Sequence, residues 1–373
     1  MSRVYTILHI LPGPIYNPKA ALEKKYVALS AFSKGAVVSL SDKDFSQEFG
    51  SYSTTCFGVG HKFGLMANLQ LFFSAWRQAR MLKKSGGLDF VVCYDPLKTG
   101  LIGFLIKMFF SCQLVIETNG VYDSPVLYQW SRGMKIKVKK VVYPLLQRFI
   151  LCRADAIKSL YHDQLKSFVL PSRIIQVSFF DYTDIEPCSY SDSGQMSILS
   201  VGFPMYVKGH DLLVAAFKIL RNDFPDWSLK IVGNYIQADV DKLKGLSGGD
   251  QAIQILPPVG FSEVSSLMDQ CSIFVLPSRT EGMGRVLLEA MARNKVRLGS
   301  RVDGIPHVIN DGVDGLLFKS EDIDDMATKL RYLMMNKSER IRMAEEGRAR
   351  YDREFTLESY ITNMHSFLNR LVH

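Results

Sequence analysis

The stretch CSIFVLPSRTEGMGRVLLEAMARN (271–294) passes from an unbroken apolar run to a glycine-interrupted turn and then to a helical pattern. Consecutive apolar residues in SIFVL fit a strand buried on both faces of a parallel sheet. From Arg285 onward Val286, Leu287, Ala290 and Met291 are spaced for packing along one helix. Glu281 therefore lies on the turn, and Glu289 more than one turn inside the helix.

The amides around Gly282, Met283 and Gly284 point out of the helix N-terminus, where an anion is favoured. Two glycines there also let a ligand approach the backbone closely. A carboxylate beside a phosphate would repel it, so Glu281 and Glu289 are better suited to accept hydrogen bonds from neutral hydroxyls. A nucleotide sugar, with both phosphates and hydroxyls, satisfies all of these parts. The plain alternative is a solvated turn glutamate and an ordinary helix glutamate, because the two-carboxylate pattern is loose.

Working outward, the second half alternates strand and helix patterns: SILSVG, KGHDLLVAAFKILRNDF, SLKIVGN, DVDKLKGL, QAIQILPPVG, FSEVSSLMDQ, CSIFVLPS, GRVLLEAMARN and KVRLGS. The first half does the same, from VYTILHI through DFVVCY and QLVIETNG to ADAIKSL. Between them DYTDIEPCSYSDSGQ (181–195) is polar and turn-rich and reads as a linker. The expectation is an α/β chain of two Rossmann-like domains facing each other across a cleft, with ligands at the carboxyl ends of the strands. The boundaries fall at 1–186 and 187–354, and residues 355–373 form a C-terminal helix crossing back to the first domain.

Composition narrows the function. With 47% hydrophobic and 22% charged residues the chain is globular, and 373 residues suffice for two cores. The N-terminus lacks the pattern of a signal peptide, and LIGFLIKMFFSCQLVI (101–116) is interrupted short of a membrane span. Six cysteines without a CxxC pair indicate reduced thiols in a cytoplasm and imply no metal site.

The net charge of +8 is uneven: residues 1–186 carry 23 Lys and Arg against 13 Asp and Glu, and the remainder carries 22 against 24. Much of the excess sits in SRGMKIKVKKVVYPLLQRF (131–149), a basic amphipathic stretch able to lie on an anionic membrane surface or to serve as an ordinary Lys-rich surface helix. Nothing accompanies it that would mark nucleic-acid binding.

The sequence resembles glycosyltransferases of the GT-B fold, family GT4. The similarity runs through SVGFPMYVKGHDLLVAAFKIL, LKIVGN, ILPPVGF, SIFVLPSRTEGMG with Glu281 and Glu289, and GIPHVINDGVDGLLF, in the family's order and near its spacing. It covers 197–318 and, more weakly, the first half. The resemblance implies that Glu289 binds ribose hydroxyls and Glu281 the donor sugar, while the amides of Gly282, Met283 and Gly284 hold sugar and diphosphate. Lys208 would neutralise the leaving diphosphate, Pro258 and Val259 would meet the base, and Gly202, Gly233 and Asn234 would line the donor pocket.

The resemblance further implies a retaining hexosyl transfer from a UDP- or GDP-sugar, without a metal or other cofactor, Lys208 and Glu281 being the catalytic pair. The acceptor would be a glycan or lipid-linked molecule in cell-surface polysaccharide or lipopolysaccharide assembly, at the cytoplasmic face of the membrane. A small soluble acceptor such as a sugar phosphate is the alternative, as is a degenerate member that binds without transferring.

The departures from the family pattern are specific. An arginine common shortly before the lysine is Phe203 here, which makes Arg279 and Arg285 the candidates to compensate. Only Gly13 remains of a usual glycine pair. Asn119 stands where many relatives have a histidine, and it joins Tyr16 as a candidate on the acceptor side.

Overall fold

The computed structural model describes residues 3–15, 17–58, 64–122, 124, 126, 134–182 and 196–372. It divides into one unit of Met1–Asp123, Gly133–Phe179 and Tyr360–His373, and another of Ser124–Arg132 and Phe180–Ser359. Tyr16 and most of the polar linker lie outside the described residues, as do residues 131–133 of the basic stretch.

The first unit runs β1 (Tyr5–Ile10), α1 (Pro18–Leu29), β2 (Ser33–Ser41), β3 (Phe45–Phe49), β4 (Tyr52–Gly58), α2 (Leu65–Lys84), β5 (Phe90–Cys93), α3 (Lys98–Phe110), β6 (Gln113–Thr118), α4 (Met134–Leu151), β7 (Ala156–Ser159) and β8 (Ile175–Ser178). The sheet order is β3-β4-β2-β1-β5-β6-β7-β8, parallel except that β3 pairs antiparallel with β4 at the edge. The strand and helix alternation of the sequence does not register β3 and β4. Serine and threonine fill YSTTCFG, so it lacks the continuous apolar run that marks the inner strands.

Both faces of this sheet are covered, which is why YTILHI and FVVC are buried at every position. Leu8 and Ile10 point into a core shared with Leu71, Ala75, Ile102, Ile106 and Ile150 of α2, α3 and α4. Alternate residues serve the other face, where the His9 ring lies 5.1 Å from Tyr26 of α1. Each buried Leu or Ile of this kind contributes about 1.5–3 kcal/mol.

The second unit runs β9 (Ser197–Val201), α5 (Met205–Lys208), α6 (His210–Leu220), β10 (Ser228–Val232), α7 (Gln237–Ser247), β11 (Ile253–Leu256), α8 (Phe261–Gln270), β12 (Ile273–Leu276), α9 (Arg285–Ala292), β13 (Val296–Ser300), α10 (Ile305–Val308), β14 (Leu316–Phe318), α11 (Ile323–Met335) and α12 (Lys337–Glu354), and only the first three residues of the last helix, α13 (Leu357–Val372), fall in it. Its parallel sheet has the order β11-β10-β9-β12-β13-β14. Of the helix expected over KGHDLLVAAFKILRNDF, α6 covers His210–Leu220, while Lys208 ends α5 on the other side of Gly209, whose φ is 66°. A Cβ at Gly209 would collide with the Pro277 carbonyl oxygen, so glycine is required there twice over.

From Tyr360 onward α13 belongs to the first unit. There Asn369 accepts from the Tyr5 hydroxyl at 2.6 Å, and His365 stacks on Phe32 at 4.5 Å. The apolar positions of LESYITNMHSFLNRLV recur at helical spacing, and Tyr360, Met364, Phe367 and Leu368 are buried.

Candidate functional site

In the second unit the candidate residues follow the strands of one parallel sheet. Gly202 comes directly after β9, Gly233 and Asn234 after β10, Pro258 and Val259 after β11, and Glu281 after β12. Parallel strands put these loops on one sheet edge, the carboxyl edge at which α/β sheets bind ligands. Asn234 and Pro258 are exposed there, and Val259 is half-buried.

The turn between β12 and α9 is held from several directions. Ser300 Oγ donates to the Ser278 carbonyl at 2.6 Å, and Arg279 N donates to Val207 O at 2.8 Å. Asp303 accepts from Thr280 Oγ1 at 2.6 Å and from Glu281 N at 2.9 Å. Asp303 itself has φ 41°, a conformation that costs a non-glycine residue and is sustained by these bonds. Met283 in the turn is buried, and Gly284, with φ 73°, precedes the first residue of α9 and leaves its N-terminus without a side-chain cap.

On this turn the Glu281 carboxylate is ion-paired with Lys208 and accepts from Ser278 Oγ at 3.2 Å. The Lys208 side chain lies across Gly202, where an added Cβ would come within 3.0 Å of its Cε. Beneath it Tyr235 Oη donates to Gly202 O at 3.2 Å and sits 2.7 Å from His210 Nδ1. Burial first, and the Lys208 charge second, push His210 down to about 3, so the imidazole is neutral. With Tyr235 donating to Gly202, His210 Nδ1–H donates to Tyr235. Gly202, Lys208, Gly233 and Glu281 are thus brought together.

Glu289 is half-buried on α9. Burial raises its carboxyl above the ordinary range, against the opposing pull of Arg285 and Arg293. Arg285 is exposed in the first turn of the same helix.

Arg279 requires a correction to its expected role beside the phosphates. Its side chain is only 6% exposed, forks onto Asp211 at 2.8 and 3.1 Å, and donates to Glu321 Oε1 at 2.9 Å and Tyr206 O at 2.6 Å. Burial opposes ionisation of Asp211, yet these bonds hold its carboxyl below the usual range. With every guanidinium nitrogen engaged, Arg279 is a brace between the turn and α6. Phe203, where the arginine of relatives is missing, is 60% exposed.

Two candidates lie in the first unit. Gly13 has φ 59°, and a Cβ there would collide with Leu40, so packing against β2 already demands glycine. Asn119 follows β6, within 3.4 Å of Glu117 Oε2 and of Lys158 Nζ, above a fully buried Lys158–Glu117 pair at 3.8 Å.

The sequence reading missed Asp211, Tyr235, Ser278 and Asp303. Asp211 and Tyr235 stand close after KG and GN, Ser278 opens SRTEG, and Asp303 directly precedes GIPHVINDG, so each lies in or next to a stretch already singled out. Lys158 and Glu117 gave no such signal, since a charged residue inside a strand pattern shows no partner.

Residues 184–350 match the family model for Glycosyl transferases group 1. An uncharacterized glycosyltransferase of Methanocaldococcus jannaschii is 24% identical over 81% of this chain and 81% of that protein. Another, of Haemophilus influenzae, is 32% identical over 41% of this chain and 43% of its own length. The D-inositol 3-phosphate glycosyltransferase of Arthrobacter sp. is 32% identical over 38% and 35%. The match thus spans less than half of the latter two relatives.

Among solved structures, sucrose-phosphate synthase from Thermosynechococcus elongatus superimposes with a TM-score of 0.78, at 16% identity over 99% of both chains. Anabaena HepE in complex with UDP and glucose gives 0.71, at 15% identity over 98% of this chain and 100% of that one. At such identities the likeness is one of fold, and that fold is GT-B. The family match over 184–350 and the names of the relatives, joined to this fold, support a glycosyltransferase.

Proposed function

We propose that the protein is a retaining, GT4-type glycosyltransferase that moves a hexose-like sugar from a UDP- or GDP-sugar to a glycan or lipid-linked acceptor in cell-surface polysaccharide or lipopolysaccharide assembly. The observation that carries the reading is the Lys208–Glu281 pair on the turn that opens α9, whose N-terminus no side chain caps. A cation and a set of backbone amides there are suited to the diphosphate, and an adjacent carboxylate to sugar hydroxyls.

Fixed positive charge at the leaving diphosphate lowers the barrier to an oxocarbenium-like transition state, and Lys208 with the start of α9 supplies it in this reading. Glu281 accepts from the sugar and Glu289 from the ribose, while the backbone at Pro258 and Val259 meets the base. The acceptor hydroxyl attacks on the face the nucleotide leaves, and a donor phosphate oxygen takes its proton. The charge comes from the chain, so turnover is expected to survive a chelator.

Incubation with a panel of nucleotide sugars and acceptor extracts, read as released nucleotide, tests this. The expected result is turnover with one donor, thermal stabilisation by its nucleotide, and loss of that stabilisation in Glu289→Ala. A folded protein that turns over no donor with any extract would favour a binding protein without transfer activity. The name of the D-inositol 3-phosphate glycosyltransferase relative favours a second reading, a small phosphorylated acceptor. Transfer to a soluble sugar phosphate but not to lipid extract would select it.

A further inference from the structure

We propose that the outer face of α2, α3 and α4 in the first unit is a docking surface for an anionic lipid bilayer. These helices bury one side against the sheet, so their opposite side should be polar in a fully solvated protein. Instead Phe73 is 63% exposed, Phe109 67% and Leu145 65%, and Met66, Met108 and Val141 are exposed with them. Single apolar residues on a surface are ordinary, but a contiguous set spread over three helices is not.

Continuity is set by the rings between the helices. Phe72 lies 5.3 Å from Phe73 and 5.7 Å from Trp76, and Trp76 lies 5.1 Å from Phe109, joining α2 to α3. Phe104 lies 5.4 Å from Phe149, joining α3 to α4. Apolar ring contacts therefore run through all three helices beneath the exposed side chains, with the Arg153 guanidinium 3.7 Å over the Phe149 ring, and reach beyond the basic amphipathic stretch of α4 that the sequence marks.

Charge selects the occupant. The three helices contain no aspartate or glutamate at all, and Arg77, Arg80, Lys83, Lys84, Lys139 and Lys140 are exposed on them. An isologous contact between two copies would press this acid-free basic face against itself, where like charges repel. A nucleic acid would use the charge and leave the methionine, leucine and phenylalanine side chains unused. An anionic bilayer uses both, with each basic residue near the lipid worth about 1 kcal/mol and apolar side chains entering the interface. No helix among the described residues is long and apolar enough to cross a membrane, so the face lies on the bilayer.

The test is sedimentation of the full chain with vesicles of phosphatidylcholine alone and of phosphatidylcholine mixed with phosphatidylglycerol. Wild type is expected in the pellet only with the mixture. Both the combined F73S, F109S and L145S variant and the combined K83E, K84E, K139E and K140E variant should bind at least about tenfold more weakly. Trp76 reports without relying on the folding of a variant: brominated lipid in the mixture should quench the wild-type fluorescence. Equal recovery with both vesicle types would overturn the proposal, as would absence of quenching. So would a dimer in solution that the apolar substitutions dissociate, because a second copy would then be the occupant. None of these readouts involves sugar transfer, so this proposal and the proposed reaction fail independently.

Discussion

Lys208 and Glu281 are ion-paired although one ends the short helix α5 and the other lies on the turn after β12, and both side chains are mostly buried. The pair joins the group assigned to the diphosphate to the group assigned to the sugar. Lys208→Ala is expected to lower kcat by about 10²- to 10³-fold, the usual cost of losing one fixed charge at a developing anion. Glu281→Gln should act more on KM for the donor, because an amide can still accept from a hydroxyl. Steady-state kinetics distinguish the two, and equal effects on kcat would contradict the division of roles.

Arg279 and Arg285 should separate in the opposite way. Arg279→Ala leaves the mostly buried Asp211 with only the longer Lys242 pair at 3.6 Å and is expected to destabilise the fold by about 1–3 kcal/mol, read as a lower denaturation midpoint. Arg285→Ala should shift stability by less than about 0.5 kcal/mol. If Arg285 contacts the donor phosphates, this variant weakens nucleotide-sugar binding in calorimetry, and unchanged affinity removes it from the site.

Glu289 gives a pH dependence of defined sign. Its folded pKa is raised, so the folded protein favours the protonated form. The group's contribution to stability is therefore complete below the unfolded carboxyl pKa and is lost as pH rises through the folded value. At neutral pH Glu289→Gln should raise Tm without nucleotide, since a buried charge is gone. Wild-type nucleotide affinity should fall as pH drops through the raised pKa, because protonation replaces a charged acceptor with a weaker neutral one. The Gln variant should show weaker binding and a flat profile. A sloping profile in the variant would assign the titration elsewhere.

Phe203 stands exposed at the end of β9, so an arginine there meets no packing obstacle. Phe203→Arg is expected to fold normally and to tighten nucleoside diphosphate binding by about 1.5- to fivefold, the range for one added solvent-exposed charge pair. The gain should shrink as salt is added. Unchanged affinity at low salt would mean that the chain does not need a charge at this position.

The sequence by itself determined the parallel α/β pattern of both halves, because strands buried on two faces must be continuously apolar and helices packed on one face must repeat near 3.6 residues. It also placed Gly202, Gly233 and Glu281 at one edge, since each follows a strand. It carried no sign of the brace from Arg279 to Asp211, 68 residues apart. Nor did it show that Arg297, in the strand text KVRLGS, is fully buried against Asp314. Such pairings are chosen by how strands and helices meet in space, and a local pattern holds no record of a distant partner. Only the tertiary structure turned Arg279 from a ligand contact into a strut. It also gathered apolar residues scattered over 66–149 into one exposed face, because surface contiguity is a property of packed helices.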